Sequence, residues 1–296
     1  MKGPVNTKKF LAKPDEKISL KDYPTDQKNK DYSKEQGDKL LQENIEQLSN
    51  LQDKLYASDR YSCLIVLQAM DAAGKDSTIK HLTIGLNASG VKVSNFKVPT
   101  STELGHDFLW RHYLELPLRG QIGIFNRSHY ENVLVTKVHP ELLLKEKLPG
   151  IDTVQDIDKA FWKRRYEEIN RFEKNLVENG TVILKFFLHL SKEEQKKRFL
   201  ERIENPKKNW KFSLADVKER ECWDDYQKAY EEAISHTSTK QAPWYIIPAD
   251  DKWYSRLAAG TIILREFEKL NLSYPSVTKA EKAELQKAKE ALLKDK

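Results

Sequence analysis

Apolar and polar positions divide this chain into compact runs and periodic stretches. Residues 1–32 are polar, lysine-rich and punctuated by Pro4, Pro14 and Pro24, which predicts an extended arm lying on the surface. From Ser33 onward Leu41, Ile45, Leu48, Leu51 and Leu55 recur at spacings of three and four with charges between them, the pattern of an amphipathic helix. Such a helix must pack on something, and the body of its own domain is a simpler partner than a coiled coil. Residues 62–68 are a dense aliphatic run, too short for a helix, and read as a buried strand. Four more strands are predicted at 91–98, 121–125, 181–190 and 244–247. Between and after them the pattern predicts helices at about 78–86, 103–116, 151–180, 192–205, 213–237 and 253–270, with a last amphipathic helix at 278–294. Strands that are apolar on both faces and alternate with helices imply a parallel sheet covered on both sides. The expected fold is therefore α/β with five parallel strands. Residues 1–58 form an arm and helix, 59–272 the main domain, and 273–296 a C-terminal helix.

The first strand leads into the most informative stretch. Met70-Asp71-Ala72-Ala73-Gly74-Lys75 is a run of small residues ending in Gly-Lys, followed by the helix start at Asp76-Ser77-Thr78. Small residues let several backbone N–H groups curl around one anion, and the next helix presents its positive end to the same point. Lys75 adds a mobile charge suited to a phosphoryl group. The match to a phosphate loop is imperfect, because Ala69 stands where the first glycine belongs and Asp76 where a Ser or Thr would bind metal. An ordinary turn with a surface lysine would leave unexplained the small residues and the flanking carboxylates Asp71 and Asp76. Carboxylates beside a phosphate make sense when a divalent cation mediates.

Composition narrows the class. The chain has 296 residues, 39% hydrophobic and 32% charged, and its 6 Trp, 12 Tyr and 11 Phe argue against disorder. A net charge of +6 suits an anionic ligand without choosing one. Cys63 and Cys222 match no metal or redox spacing and fit a reducing cytoplasm. The N-terminus carries no apolar signal core, and no run is long enough to span a membrane, so the chain reads as soluble and intracellular.

Two further clusters bear chemistry. The strand at 121–125 runs into Asn126-Arg127-Ser128-His129-Tyr130-Glu131, and in open parallel sheets ligands sit beyond the carboxyl ends of strands. Arg127 is a fork suited to a phosphoryl group, Glu131 a possible metal ligand, and His129 reads as an orienting or packing residue. Residues 192–222 form a basic helix, a proline-containing break and a second helix, carrying Arg198 and Arg202 four residues apart on one face. A solvated surface helix explains such charge, but so does a lid that closes arginines over phosphates. No Ser-His-Asp or Cys-His arrangement and no G-x-S-x-G is present.

Five collinear segments then carry a resemblance: MDAAGKD at 70–76, HDFLWR at 106–111, GQIGIFNRSHYENV at 120–133, residues 191–216, and APWYIIPADDKWYSRL at 242–257. They resemble the second polyphosphate kinase family over about residues 33–270. The resemblance implies a three-layer, thymidylate-kinase-like phosphate-loop kinase fold with a helical lid. It also implies Mg²⁺-dependent (alternatively Mn²⁺-dependent) phosphoryl transfer between inorganic polyphosphate and AMP, ADP or ATP. A homo-oligomer, dimer or tetramer, is implied too, with no nucleic-acid or membrane partner. Carried over by position, Asp71 and Lys75 in the first phosphate motif, Arg127 in the second and Arg198 and Arg202 in the lid would be catalytic; Asp71 and Glu131, by their place at the same sheet edge, would hold metal. Ala72, Ala73, Gly74, Asp76, Ser77 and Asn126 would line the phosphate and nucleotide site, and Lys80, Lys97 and Arg111 would guide the polyanion. Many members read Asp-Arg-Ser-Trp-Tyr-Asn at 126–131; the acid at the end rather than the start resembles the subgroup acting on both AMP and ADP. The rival readings are an ATP-dependent nucleotide kinase and a non-enzymatic polyanion-binding protein.

Overall fold

A computed structural model describes residues 5–27 and 32–295; the parts of the predicted arm at 1–4 and 28–31 lie outside the described residues. Six strands form one sheet: β1 (Leu11–Ala12), β2 (Ser62–Ala69), β3 (Val91–Asn95), β4 (Ile122–Asn126), β5 (Thr181–His189) and β6 (Trp244–Pro248). Their order is β1-β6-β5-β2-β4-β3. The last five are mutually parallel, as expected, and β1 is an additional antiparallel edge strand, pairing Leu11 with Tyr245 and Ala12 with Trp244.

The sheet separates two apolar cores because successive side chains point to opposite faces. In β2, Cys63, Ile65 and Leu67 enter one core and Leu64 and Val66 the other. The first core is closed by α1 (Lys34–Ser58), α2 (Lys75–Leu82) and α7 (Lys252–Glu268), the second by α3 (Lys159–Glu178) and α6 (Trp223–Thr237). Between β5 and α6 lie α4 (Lys192–Glu204) and α5 (Leu214–Glu219), and α8 (Lys279–Lys294) ends the chain with every described residue exposed. The α1 helix starts with a reciprocal cap between Ser33 and Gln36 and buries Leu41, Leu48 and Leu55 against its own domain.

Several elements depart from the pattern-based expectation. The arm is not a surface strap: Val5, Phe10, Ala12, Ile18 and Leu20 are buried, and Glu231 of α6 accepts the Leu20 N–H at 2.7 Å. The helix expected at 103–116 is two single turns, Ser101–Leu104 and Trp110–Tyr113. Asp107 between them accepts the Leu109 N–H with its own side chain at 2.9 Å and breaks the helix. The helix expected from 151 begins only at Lys159, where Asp158 caps the Phe161 N–H at 2.7 Å. The segment 213–237 is interrupted by a tighter turn over Arg220–Cys222. Finally, α2 starts three residues earlier than expected, directly at the lysine of the phosphate loop.

Candidate active site

The carboxyl edge of the sheet gathers the chemistry. The chain leaves β2 towards one side of the sheet and β4 towards the other, so the turns after these neighbouring strands flank one crevice. After Ala69 the chain turns through 70–74 into α2. Ala72 and Gly74 hold left-handed backbone, at φ 61° and 103°. A Cβ on Gly74 would also stand 3.2 Å from Ser77 Oγ, so glycine serves both conformation and room. No side chain among the described residues caps α2, which leaves the N–H groups of its first turn available to an anion. Ser77 Oγ instead donates to the Gly74 carbonyl at 2.8 Å. The partly buried Lys75 ammonium donates to the Ala69 carbonyl at 2.9 Å. Withdrawal from water lowers its pKa, against the pull of Asp71.

Beside this loop, Asn126 at the end of β4 donates to Asp76 Oδ1 at 3.0 Å and to Asn95 Oδ1 at 2.7 Å. Asp76, in the place of the usual Ser or Thr, thereby ties α2 to two strand ends. Arg127 follows with φ 63°, and its guanidinium lies between two acids, 3.5 Å from Asp71 and 3.6 Å from Glu131. The two expected metal ligands thus share one guanidinium. Among the described residues no group of three or more His, Cys, Asp or Glu side chains could hold a metal. Two carboxylates do fit Mg²⁺, which takes one or two carboxylates and completes its shell with phosphate oxygens and water.

The lid segment divides its two arginines. Arg198 is buried and spends all its donors internally: Nε on Glu194 at 2.9 Å, Nη1 on the Ala72 and Ala73 carbonyls at 3.0 Å each, and Nη2 on the Ala249 and Asp250 carbonyls at 2.7 and 2.9 Å. It clamps the phosphate loop to the turn after β6, where a free lid arginine was expected. Gln195 assists, donating to the Asp71 carbonyl at 3.0 Å. Arg202 is partly exposed, and its polar contacts among the described residues are long, 3.4 Å to the Lys211 carbonyl and 3.5 Å to Asp216. Burial, and after it the charge of Asp71, raises the Asp216 pKa.

Two clefts meet here. One, of about 510 Å³, has walls of Met70, Leu134, Val135, Leu142, Tyr226 and Tyr230; the other, of about 310 Å³, runs over the phosphate loop beside Arg202, Lys208, Lys211 and Lys252. Asp71, Lys75 and Arg127 border both. Glu131 faces the first; Ala72, Ala73, Gly74, Asp76, Ser77 and Asn126 face the second. Three residues expected to guide a polyanion border neither cleft. Lys80 is on the exposed side of α2, Lys97 is exposed, and Arg111 is buried, donating to the Lys97 carbonyl at 2.8 Å beside Glu103. Sequence reasoning missed Gln195 and Lys252. Gln195 sits one turn ahead of Arg198, and Lys252 opens α7 just beyond β6, so the strand-end rule that found Arg127 reaches it too.

An uncapped helix behind a small-residue loop, on a parallel α/β sheet with a basic helical segment above it, defines a phosphate-loop kinase, an enzyme of phosphoryl transfer. The family comparison matches polyphosphate kinase 2 (PPK2) over residues 30–274, and the chain belongs to that family. It is 49% identical, over 98% of its length and 99% of the relative's, to the ADP-polyphosphate phosphotransferase of Rhodopseudomonas palustris. It is 44% identical, over 90% and 95%, to the AMP/ADP-polyphosphate phosphotransferase of Meiothermus ruber. The crystal structure of polyphosphate kinase 2 from Arthrobacter aurescens superposes with a TM-score of 0.82 at 37% identity, covering 94% of this chain and 98% of that one. No helix among the described residues is long and apolar enough to cross a membrane.

Proposed function

We propose that this protein transfers the terminal phosphoryl group of inorganic polyphosphate to AMP and to ADP, giving ADP and ATP. The observation that carries the reading is the junction of two unlike clefts at Asp71, Lys75 and Arg127. The basic cleft over the phosphate loop suits a polyanion of repeating phosphates. The larger cleft, with aliphatic and tyrosine walls, suits a nucleoside. Relatives named for ADP and for AMP and ADP support both acceptors, as does the placement of Asn126 before and Glu131 after Arg127.

At the junction a terminal phosphate oxygen of the nucleotide attacks the end phosphorus of the chain. The new P–O bond forms as the bond to the next phosphate breaks, and the shortened chain leaves with that electron pair. Little covalent work falls to the protein; it positions the two polyanions and stabilises charge. Lys75 exchanges the Ala69 carbonyl for a phosphate oxygen. Arg127 offers its fork to the transferring group, and the first-turn N–H groups of α2 hold the donor chain. Arg202 reaches the phosphates when the lid closes, and Arg198 preserves the shape of the loop. Asp71 and Glu131 would hold a divalent cation, Mg²⁺ or Mn²⁺, which would supply neutralisation of phosphate charge. Two free cysteines suit action in the cytoplasm, and a dimer or tetramer is the expected assembly.

The test is purified protein with Mg²⁺, AMP and polyphosphate in the absence of ATP, followed by separation of nucleotides. ADP and then ATP should accumulate. If ATP serves as donor to AMP and polyphosphate does not, the protein is an ordinary nucleotide kinase; if neither does, it is a polyanion binder.

A further inference from the structure

Beneath the turn that carries Arg127 and Glu131 lies a closed set of buried polar groups. Lys185 stands in the middle of β5 with no exposed surface. Its ammonium donates to Glu173 Oε2 at 2.5 Å, to the Thr237 carbonyl at 2.7 Å and to Tyr130 Oη at 2.9 Å. Glu173, on α3, is equally buried; its Oε1 accepts the Tyr130 hydroxyl at 2.8 Å and lies 3.4 Å from His129 Nε2. Burial pushes the Glu173 carboxyl up most strongly; the charge of Lys185 and the contacts from His129 and Lys185 together outweigh it and keep the pKa below the ordinary value.

Such a pair is a poor device for stability. Taking each charge out of water is costly, and apolar side chains of the same volume fill such a space as well or better. What the pair adds is direction. Tyr130 and His129 lie three and two residues beyond Arg127, and both are bolted to Glu173. Gln68 of β2 also donates to Ser128 Oγ at 3.1 Å, and before Arg127 the Asn126 amide is held by Asp76 at 3.0 Å and Asn95 at 2.7 Å. The residue between these anchors is Arg127, whose left-handed backbone, at φ 63°, is unfavourable for a residue bearing a side chain. Backbone strain of this kind persists only where the surroundings over-determine it.

We propose that Glu173 and Lys185 are positioning residues for phosphoryl transfer: through Tyr130 and His129 they hold the 127–131 turn in the strained form that aims Arg127 into the junction of the two clefts and Glu131 into the larger one. The proposal rests on the phosphotransferase reading above. Arg127 acts on the transferring group, so its displacement should appear in turnover and not in substrate affinity.

The test is Tyr130→Phe, which keeps the ring packed on Trp244 and leaves the Lys185–Glu173 pair intact. Its kcat should fall by about 10- to 100-fold while KM for nucleotide and polyphosphate stays within about two-fold. In an Arg127→Ala background the same change should alter the single-turnover rate by less than about two-fold, because residues acting as one unit are non-additive. The shape-preserving double change Glu173→Gln with Lys185→Met should fold and show the same loss of kcat. A kcat for Tyr130→Phe equal to wild type per folded molecule, or full additivity with Arg127→Ala, overturns the proposal and leaves the network a packing feature. A wild-type protein that fails to use polyphosphate overturns the functional reading and this proposal together, so the two failures are distinguishable.

Discussion

Replacing Arg198 with alanine separates two roles that a basic lid residue can have. A catalytic arginine meets the transferring group and has little to do before closure. A clamp holds the resting site together. In the structure Arg198 is 5% exposed and makes five hydrogen bonds, four of them to backbone carbonyls of the phosphate loop and of the turn after β6. Hydrogen bonds to a charged group are worth about 1.5–3 kcal/mol each, but these share one guanidinium and do not add. Removing one partner of a buried charged set costs about 3–5 kcal/mol. At the roughly 2–4 °C per kcal/mol of larger domains, with this chain at the low end, Arg198→Ala should lower Tm by about 6–10 °C. Arg198→Lys should recover less than half of that, since one ammonium cannot serve carbonyls on two separate turns. The assay is thermal unfolding of the purified variants without substrate, paired with single-turnover transfer from polyphosphate to ADP. If Arg198→Ala unfolds with the wild-type protein and loses only the rate of transfer, the clamp reasoning is wrong and Arg198 belongs with the groups that touch phosphate.

Arg202→Ala should show the converse. With polar contacts at 3.4–3.5 Å and a partly exposed side chain, its loss should leave Tm within about 1 °C, as surface substitutions do, and cut single-turnover transfer by more than ten-fold; an unchanged rate would return the segment to a solvated helix. Asp71→Asn should lower kcat by about two to three powers of ten with the fold intact, the cost of removing one charge-stabilising group of roughly 3 kcal/mol. Near-normal turnover at saturating Mg²⁺ would exclude the metal role. The His189 imidazole at the end of β5 is buried and has its pKa lowered to about 4 by loss of water, against the pull of Asp250. The unfolded chain binds that proton near 6.5, so stability is full above that pH and falls as pH drops towards 4. The loss at pH 5 is about 2 kcal/mol. Urea midpoints at pH 7 and pH 5 should therefore differ by less in His189→Asn than in the wild type; an equal pH dependence would remove His189 as the cause.

What the sequence made legible is what neighbouring residues encode by themselves. The strand at 62–69, the small-residue turn and the Gly-Lys helix start are one continuous segment, so composition and order suffice to place them at a phosphate site. The cluster after β4 is equally local, and the strand-end rule for parallel sheets puts both at one edge. The N-terminal arm was not legible because its burial depends on partners more than 200 residues away, such as Ser235, which accepts the Ile18 N–H at 3.0 Å. Its few apolar residues follow neither a helical nor a strand period.

The two lid arginines show a subtler limit. Spacing four residues apart puts Arg198 and Arg202 on one face, which is correct, but it also moves Arg202 about 6 Å further along the helix axis. The α4 helix rises from Ser191, itself anchored by Asp250 at 2.8 Å. Two turns up, Arg198 is still level with the phosphate loop and is consumed by it; one turn higher, Arg202 has cleared the loop and borders the cleft. Lys185 was within reach of the same reasoning. A charge at the centre of TVILKFFLHL, in a strand apolar on both faces, has to be buried, and a buried ammonium needs a carboxylate. The pattern that identified the strand therefore also required Glu173 or an equivalent acid on the helix that covers it, and with it the anchor beneath Arg127.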